Sequence, residues 1–230
     1  MSIKTNTPRW KEIYTLGAIA AIISEIVLII GVAAVFIYPY APGKESTESV
    51  FLLLQNNKLG GLISLDFHLL LGNLFGILLF LALYVSLKQV NESYALIALV
   101  LGLFADVLII PARPISELFS LSGLYATATT EVAKSQYLAA GEALLSMFNG
   151  TGWFVNTFLG GLSLLISSLL MLRGNVFSKA TAYVGIITNA AVCLFFVPGI
   201  GMLFLFLSLP GYIIWYVQLT RRFLKMAKGG

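Results

Sequence analysis

The residues of this sequence that could do chemistry are a few ionisable side chains set in long apolar stretches. Glu25 lies about midway along one stretch, and Asp106 lies somewhat to one side of the middle of another. An ionised group at the centre of a membrane helix costs roughly 2.5–3.5 kcal/mol, so such carboxylates usually face a partner or a polar cavity. Asp66, His68 and Arg113 lie nearer the ends of their stretches. These five are the first candidates for binding a ligand or carrying a proton.

Helical spacing predicts which polar groups lie near Asp106. Arg113 follows it by seven residues and precedes Glu117 by four, so the three share one face if the intervening prolines only kink the helix. At about 1.5 Å per residue, Asp106 is about 10 Å from Arg113 along the axis. Asp106 therefore needs a partner on another helix, or it stays protonated. The candidate partners are the asparagines Asn73, Asn156 and Asn189.

The predicted polar pocket has a purely structural alternative. Arg113 and Glu117 would also make an interfacial ion pair, since arginine near a helix end can extend to the lipid headgroups. Asp66 is equally well explained as a residue of the outer interface. The members of the predicted pocket are Glu25, Asp66, Asn73, Asp106, Arg113, Glu117 and Glu142.

His68 fits helix packing better than metal binding. Gly72 and Gly76 form a G-x-x-x-G pair with His68 one turn earlier on the same face, which lets a neighbouring helix approach closely. We expect His68 to donate an interhelical hydrogen bond. One histidine and one cysteine, Cys193, are too few for the usual zinc sites, so no metal site and no cofactor is predicted, and metal binding by carboxylates alone is the alternative left open. Phosphate-loop, H-E-x-x-H and G-x-S-x-G motifs are missing, and no catalytic residue can be assigned.

The elements that must position these side chains are membrane-spanning helices. The 230 residues are 59% hydrophobic and 10% charged, whereas a soluble domain is about 25% charged. Runs 26–43, 143–172 and 180–220 contain no Asp, Glu, Lys or Arg. The last run would form about 61 Å of helix, so it must fold back, with Pro198 near the break.

The sequence therefore predicts an all-α fold, a polytopic transmembrane bundle of six helices in a single domain over 1–230. The predicted spans are about 14–37, 62–87, 94–112, 153–172, 180–196 and 202–219.

The distribution of cations predicts how the bundle is oriented. With the N-terminus in the cytoplasm, ten Lys and Arg lie on the inner side and four on the outer side, as the positive-inside rule requires. Both termini are then expected on the cytoplasmic side of the plasma membrane. The net charge of +4 reflects this topology rather than a nucleic-acid surface. The expected partners are membrane lipids, with a protein partner or a homo-oligomer left open.

Segment 115–152 is predicted to form a cap on the extracytoplasmic side. Its polar residues recur at spacings that share one helix face: Glu131, Ser135, Glu142, Ser146 and Asn149. This pattern is typical of an amphipathic helix at an interface. We expect an ordered helix over 131–149 that packs over the second and third spans and screens Asp66 and Arg113 from water.

Several short segments carry a resemblance to a known family. They read LSGLYATAT at 121–129, LAAGE at 138–142, MLR at 171–173 and FSKATAYVGI at 177–186, with LALY at 81–84 and ALIA at 95–98. The chain resembles domain-of-unknown-function family 4386, a group of prokaryotic membrane proteins. The resemblance implies a small six-helix prokaryotic membrane protein and supplies no activity or catalytic residue.

These observations favour a non-enzymatic membrane protein that binds a lipid or small ligand, or assists a partner, through a pocket open to the extracytoplasmic side. The alternative is a small proton-coupled transporter that uses Glu25 or Asp106, and inverted internal symmetry would favour it. A less favoured alternative is an intramembrane carboxylate hydrolase, which needs two carboxylates about 5–10 Å apart. The sequence shows neither feature.

Overall fold

The structure, a computed structural model, describes residues 10–37, 46–148 and 150–229, which form helices and contain no strand. The helices are α1 (Lys11–Ile37), α2 (Thr47–Asn56), α3 (Lys58–Ser64), α4 (Phe67–Leu87), α5 (Glu92–Ala112), α6 (Ile115–Thr127), α7 (Glu131–Met147), α8 (Thr151–Arg173), α9 (Lys179–Cys193) and α10 (Gly201–Ala227). A 3-10 turn, Leu194–Phe196, follows α9.

Six helical segments are long and apolar enough to cross a membrane, which confirms the all-α class and the number of spans. Two of these segments pass through a helix break: Glu92–Thr127 covers α5 and α6, and Glu131–Arg173 covers α7 and α8. The chain is thus an integral membrane protein by the length and composition of its helices.

Hydroxyl and amide side chains fix where several helices begin. Ser46, Thr130 and Ser178 each accept a hydrogen bond from the backbone N–H three residues later, at the starts of α2, α7 and α9. Asn57 does the same for Gly60 at the start of α3. These are N-caps, which satisfy backbone donors that have no carbonyl partner in the first helical turn.

Two helix breaks lie close to expected span ends: one falls inside the expected second span, and the other falls where the third span was expected to end. The second span was expected to run over 62–87, but the chain leaves the helix at Leu65 and Asp66, so α4 begins at Phe67. The third span ends at Ala112, and Arg113 is non-helical before Pro114. Proline removes a backbone donor and restricts the residue before it, so the helix is interrupted rather than kinked. The face shared by Asp106, Arg113 and Glu117 therefore does not exist.

The described chain forms two compact units. Unit 1 consists of Met1–Leu28, Gly72–Asp106 and Thr157–Gly230, and unit 2 consists of Ile29–Leu71 and Val107–Asn156. The expected single domain over 1–230 stays a prediction.

The core of unit 1 surrounds Trp215 of α10, whose side chain is fully buried with Leu83, Met171 and Phe223. Polar contacts join the helices inside this apolar core. Ser163 of α8 donates a hydrogen bond to the Ala98 carbonyl of α5 at 2.5 Å. Helices in a membrane depend on such hydrogen bonds and on close packing, since lipid is as apolar as the core.

A second polar link in unit 1 joins α9 to α10. The Tyr212 hydroxyl donates to Oδ1 of Asn189 at 2.9 Å, and Nδ2 of Asn189 donates to the Gly185 carbonyl. Asn189 is fully buried. Its amide is therefore satisfied within the bundle.

Unit 2 is built around α2, α6 and α7, which pack against one another. Phe51, Leu118 and Phe148 lie in its core. Gln55 of α2 donates to the Ser122 carbonyl of α6, and the Ser122 hydroxyl donates to the Phe51 carbonyl. Segment 115–152 thus contains two helices, α6 and α7, before α8 begins. Helix α7 is ordered through Met147, whereas Asn149 lies outside the described residues. The extracytoplasmic placement of this cap stays a prediction.

Candidate functional site

The candidate site is an ion pair between Asp66 and Arg113 inside unit 2. Nε of Arg113 donates to Oδ2 of Asp66 at 3.0 Å. Asp66 lies in the break between α3 and α4, and Arg113 lies in the break between α5 and α6. Because neither residue belongs to a helix, the side chains of Asp66 and Arg113 can point towards each other. The structure therefore brings together two members of the predicted pocket.

The guanidinium of Arg113 is held from several sides. Its Nη1 atom donates to the backbone carbonyls of Ala112 and Phe148. The guanidinium carbon lies 4.8 Å from the ring centre of Phe148 and 5.7 Å from that of Trp153. Arginine can donate five hydrogen bonds in a planar fork and also stacks on aromatic faces, so both kinds of contact are available to one side chain. Arg113 is fixed in the unit rather than extended to headgroups.

The backbone of Asp66 has a strained conformation. Its φ is 61°, the only positive value at a non-glycine among the described residues. Its N–H donates to the Ile63 carbonyl, and its own carbonyl accepts from the Leu69 N–H. Aspartate tolerates this left-handed conformation better than most residues. Such strain often accompanies functional sites, because packing must hold a side chain in a set direction.

The two partners of the ion pair differ in exposure. The side chain of Arg113 is 2% exposed and that of Asp66 is 29% exposed. Oδ2 of Asp66 already accepts the hydrogen bond from Nε of Arg113. A carboxylate has two oxygens with several acceptor positions, so Asp66 can accept a further hydrogen bond from a molecule outside the unit.

His68 lies close to this pair in the chain but does not make the expected interhelical hydrogen bond. It is 8% exposed, and neither ring nitrogen makes a hydrogen bond of normal geometry with the described residues. A Cβ added at Gly31 of α1 would lie 3.0 Å from Nε2 of His68. The imidazole therefore packs close to the α1 backbone at Gly31, which has no side chain.

Asp106 lies in unit 1, whereas both members of the ion pair lie in unit 2. It is 8% exposed, and a Cβ at Gly76 of α4 would lie 2.7 Å from its Oδ2 atom. Within the described residues, Oδ2 has no hydrogen-bond partner. Asn189, one expected partner, is bonded to Gly185 and Tyr212 instead. Asp106 is thus a buried carboxylate of α5 that packs against α4 at Gly76, where no side chain is in the way.

The remaining members of the predicted pocket occupy varied environments. Glu25 and Asn73 are half-buried on α1 and α4, and both belong to unit 1. Gly72, also in unit 1, packs against Val27. Glu117 and Glu142 are exposed on α6 and α7 in unit 2.

Arg113 does not pair with Glu117. Among the described residues its ion-pair partner is Asp66, so the expected interfacial Arg113–Glu117 pair is wrong. The cause is the helix break at Arg113 and Pro114. Arg113 and Glu117 therefore do not lie one turn apart on a continuous helix. The described residues contain no group of three or more histidine, cysteine or acidic side chains that could hold a metal.

Comparison with known proteins does not place this chain in a family. No family model, no curated protein and no solved structure matches it. The resemblance to domain-of-unknown-function family 4386 stays a prediction.

Proposed function

We propose that this integral membrane protein is non-catalytic and binds a lipid or small polar ligand at Asp66. The observation that carries the proposal is the asymmetry of the ion pair, in which Arg113 is 2% exposed while Asp66 is 29% exposed. An unpaired buried charge is costly, so the enclosed guanidinium needs Asp66 as its counter-charge, and the exposed part of that carboxylate stays open to a ligand. Here the cation is enclosed and the carboxylate remains accessible.

The chemistry of Asp66 selects the class of ligand. Its accessible oxygen is an acceptor, so the ligand must donate a hydrogen bond through a hydroxyl or ammonium group. Lipid headgroups that carry a primary amine or a glycerol meet this requirement. A quaternary ammonium has no N–H and does not.

We further propose that the cap, segment 115–152, lies at the extracytoplasmic side of a prokaryotic plasma membrane, with both termini cytoplasmic. The bias of Lys and Arg supports this orientation. The packing of α7 on α2 and α6 supports an ordered cap, since these helices share one apolar core.

Native mass spectrometry from lipid nanodiscs tests the ligand. Nanodiscs would contain phosphatidylethanolamine, whose ammonium donates hydrogen bonds, and phosphatidylcholine, whose ammonium does not. We expect the protein to retain phosphatidylethanolamine over phosphatidylcholine. Asp66→Asn should lose this preference, because the amide weakens the charge-assisted hydrogen bond.

Glu117→Gln is the matched control, since it removes one acidic charge from an exposed residue of the same unit. It should keep the preference for phosphatidylethanolamine. All proteins would be compared after size-exclusion chromatography, so that only folded material is measured. Equal retention of the two lipids by the natural protein, or an unchanged preference in Asp66→Asn, would contradict the proposal.

A proton-coupled transporter that uses Asp106 is the second candidate. It rests on the burial of Asp106 and on its Oδ2 atom, which has no partner among the described residues. A pH-sensitive dye inside proteoliposomes would report proton entry under an imposed gradient. Asp106→Asn should abolish that entry, whereas Glu92→Gln, an exposed change on the same helix, should not. Absence of proton entry in the natural protein would exclude this candidate and also a proton-carrying role for Glu25.

A further inference from the structure

An open cavity of about 450 Å³ lies in unit 1 between the loop after α8, the start of α9 and the end of α10. Nine residues line it, and three of these are cationic: Arg221, Arg222 and Lys225. None of the nine is acidic. We call it the basic cavity.

Two cations of the basic cavity, Arg221 and Lys225, are available to a ligand. Arg221 and Lys225 are exposed and lie one helical turn apart on α10, so they share a face. Among the residues that the structure describes, no acidic side chain pairs with either of them. Two adjacent cations without an internal counter-charge repel each other, and an anion between them would remove that repulsion.

The N-terminus of α9 lies at the wall of the same cavity. Ser178 and Thr181 both line it, and the Ser178 hydroxyl caps the Thr181 N–H at 3.1 Å. The N–H groups of Lys179 and Ala180 also belong to the first helical turn, where no carbonyl of the helix can accept them. The N-terminus of a helix attracts anions through these donors and its dipole.

The position of the basic cavity along the spans favours a headgroup. Three candidate spans end or begin beside it, at Arg173, Lys179 and Ala227. Beyond its first turn, α9 exposes Tyr183 and Ile187, as expected for a helix that faces acyl chains. Basic pockets between membrane helices bind phosphate-bearing lipid headgroups through the same chemistry.

We infer that the basic cavity binds a phosphate group, carried by an anionic lipid headgroup or by a free phosphate ion. Arg221 and Lys225 supply the charge, and the N-terminus of α9 adds the positive end of its helix dipole. This site belongs to unit 1 and the Asp66 site belongs to unit 2, so the two proposals can fail independently.

Two probes separate the sources of the phosphate: phosphatidylglycerol in phosphatidylcholine nanodiscs, followed by native mass spectrometry, and inorganic phosphate, followed by calorimetry. Arg221→Gln with Lys225→Gln is the test variant. Arg173→Gln with Lys228→Gln is the matched control, since it removes the same charge from residues that do not line the cavity. A basic side chain near anionic lipid contributes about fivefold in affinity, so the test variant should bind about thirtyfold more weakly.

Weaker phosphatidylglycerol binding in the test variant but not in the control supports a lipid headgroup. The same pattern with inorganic phosphate supports a free phosphate ion. Equal weakening in both variants would show diffuse surface attraction and overturn the inference, as would the absence of binding by either probe. Both altered residues are exposed, so the fold should persist. If thermal melting shows that it does not, Lys225→Gln alone gives the same comparison against Lys228→Gln.

Discussion

Nε of Arg113 lies 3.0 Å from Oδ2 of Asp66, although 47 residues separate the two in the chain. The contact joins the break before α4 to the break after α5 within unit 2. Because Arg113 also binds the Phe148 carbonyl, it connects the end of α7 to the same point. Three helix ends of unit 2 are therefore held by one guanidinium.

Removal of one partner from this pair should destabilise the protein. Arg113→Gln leaves the Asp66 carboxylate and two carbonyls without their donor, and loss of one partner of a buried pair costs about 3 kcal/mol. Asp66→Asn should cost less, because the amide oxygen of asparagine can still accept the hydrogen bond from Nε of Arg113 and asparagine also tolerates positive φ. Chemical denaturation in detergent would measure both.

An exposed ion pair of the same unit provides the control. Lys134 and Glu131 form an i, i+3 pair on α7, and Glu131 is 90% exposed. Lys134→Gln should change stability by less than about 0.5 kcal/mol. If Arg113→Gln costs no more than Lys134→Gln, the Asp66–Arg113 pair does not hold the helix ends.

A methyl group at Gly76 should collide with Asp106. The added Cβ would lie 2.7 Å from Oδ2 and 3.0 Å from Oδ1. Overpacking of this kind costs about 1–3 kcal/mol. Gly76→Ala should therefore lower the melting temperature, and Asp106→Ala in the same chain should restore it by removing the carboxylate.

Gly123 on α6 is the control for this substitution, because a Cβ there meets nothing within 4 Å. Gly123→Ala should be neutral or should stabilise by up to about 1 kcal/mol, since alanine favours helix. A failure of Asp106→Ala to rescue Gly76→Ala would show that the collision lies elsewhere.

The hydrogen bond between Tyr212 and Asn189 should contribute measurably to unit 1. Tyr212→Phe removes only the hydroxyl and leaves Oδ1 of Asn189 buried without that donor. An unsatisfied buried group costs about 1–3 kcal/mol. Thermal melting should show this loss, whereas Tyr183→Phe, at an exposed position, should not. Equal melting temperatures for the two variants would mean that Asn189 finds another donor.

Six spans with both termini in the cytoplasm predict which loops face outwards. In a chain with Cys193→Ala, an impermeant thiol reagent added to intact cells should label Ser46→Cys and Lys134→Cys. It should spare Gln89→Cys and Asn175→Cys until the cells are opened. Labelling of Gln89→Cys in intact cells would reverse the orientation.

Hydropathy predicts the spans well, because a bilayer requires long apolar helices and little else. It does not reveal the break at Asp66, since mainly apolar residues lie on both sides of it within 62–87. The left-handed turn there depends on tertiary packing. The short helices α2 and α3 were not expected, since they lie in a segment of mixed polarity. Helix α2 is held by contacts with α6 and α7, and α3 packs against α2.

The candidate site could be predicted only in part. Asp66 and Arg113 stand out in the sequence because they are charged residues next to apolar runs. Their pairing could not be derived, since Glu117 is closer to Arg113 in sequence and fits a continuous helix. The basic cavity was also missed. Its signal in the sequence was the spacing of Arg221 and Lys225, which lie one helical turn apart. The positive-inside rule already accounted for these two cations, so no site was inferred from them.

Each unit contains a tryptophan whose fluorescence can report on that unit. Trp215 is fully buried in the core of unit 1, so its emission should be blue-shifted and protected from an aqueous quencher. Trp153 lies beside the Arg113 guanidinium in unit 2, so its emission should respond to loss of the ion pair. Trp10 faces Lys88 and can be replaced by phenylalanine to simplify the spectrum. Fluorescence could then follow the unfolding of the two units separately in one unlabelled protein.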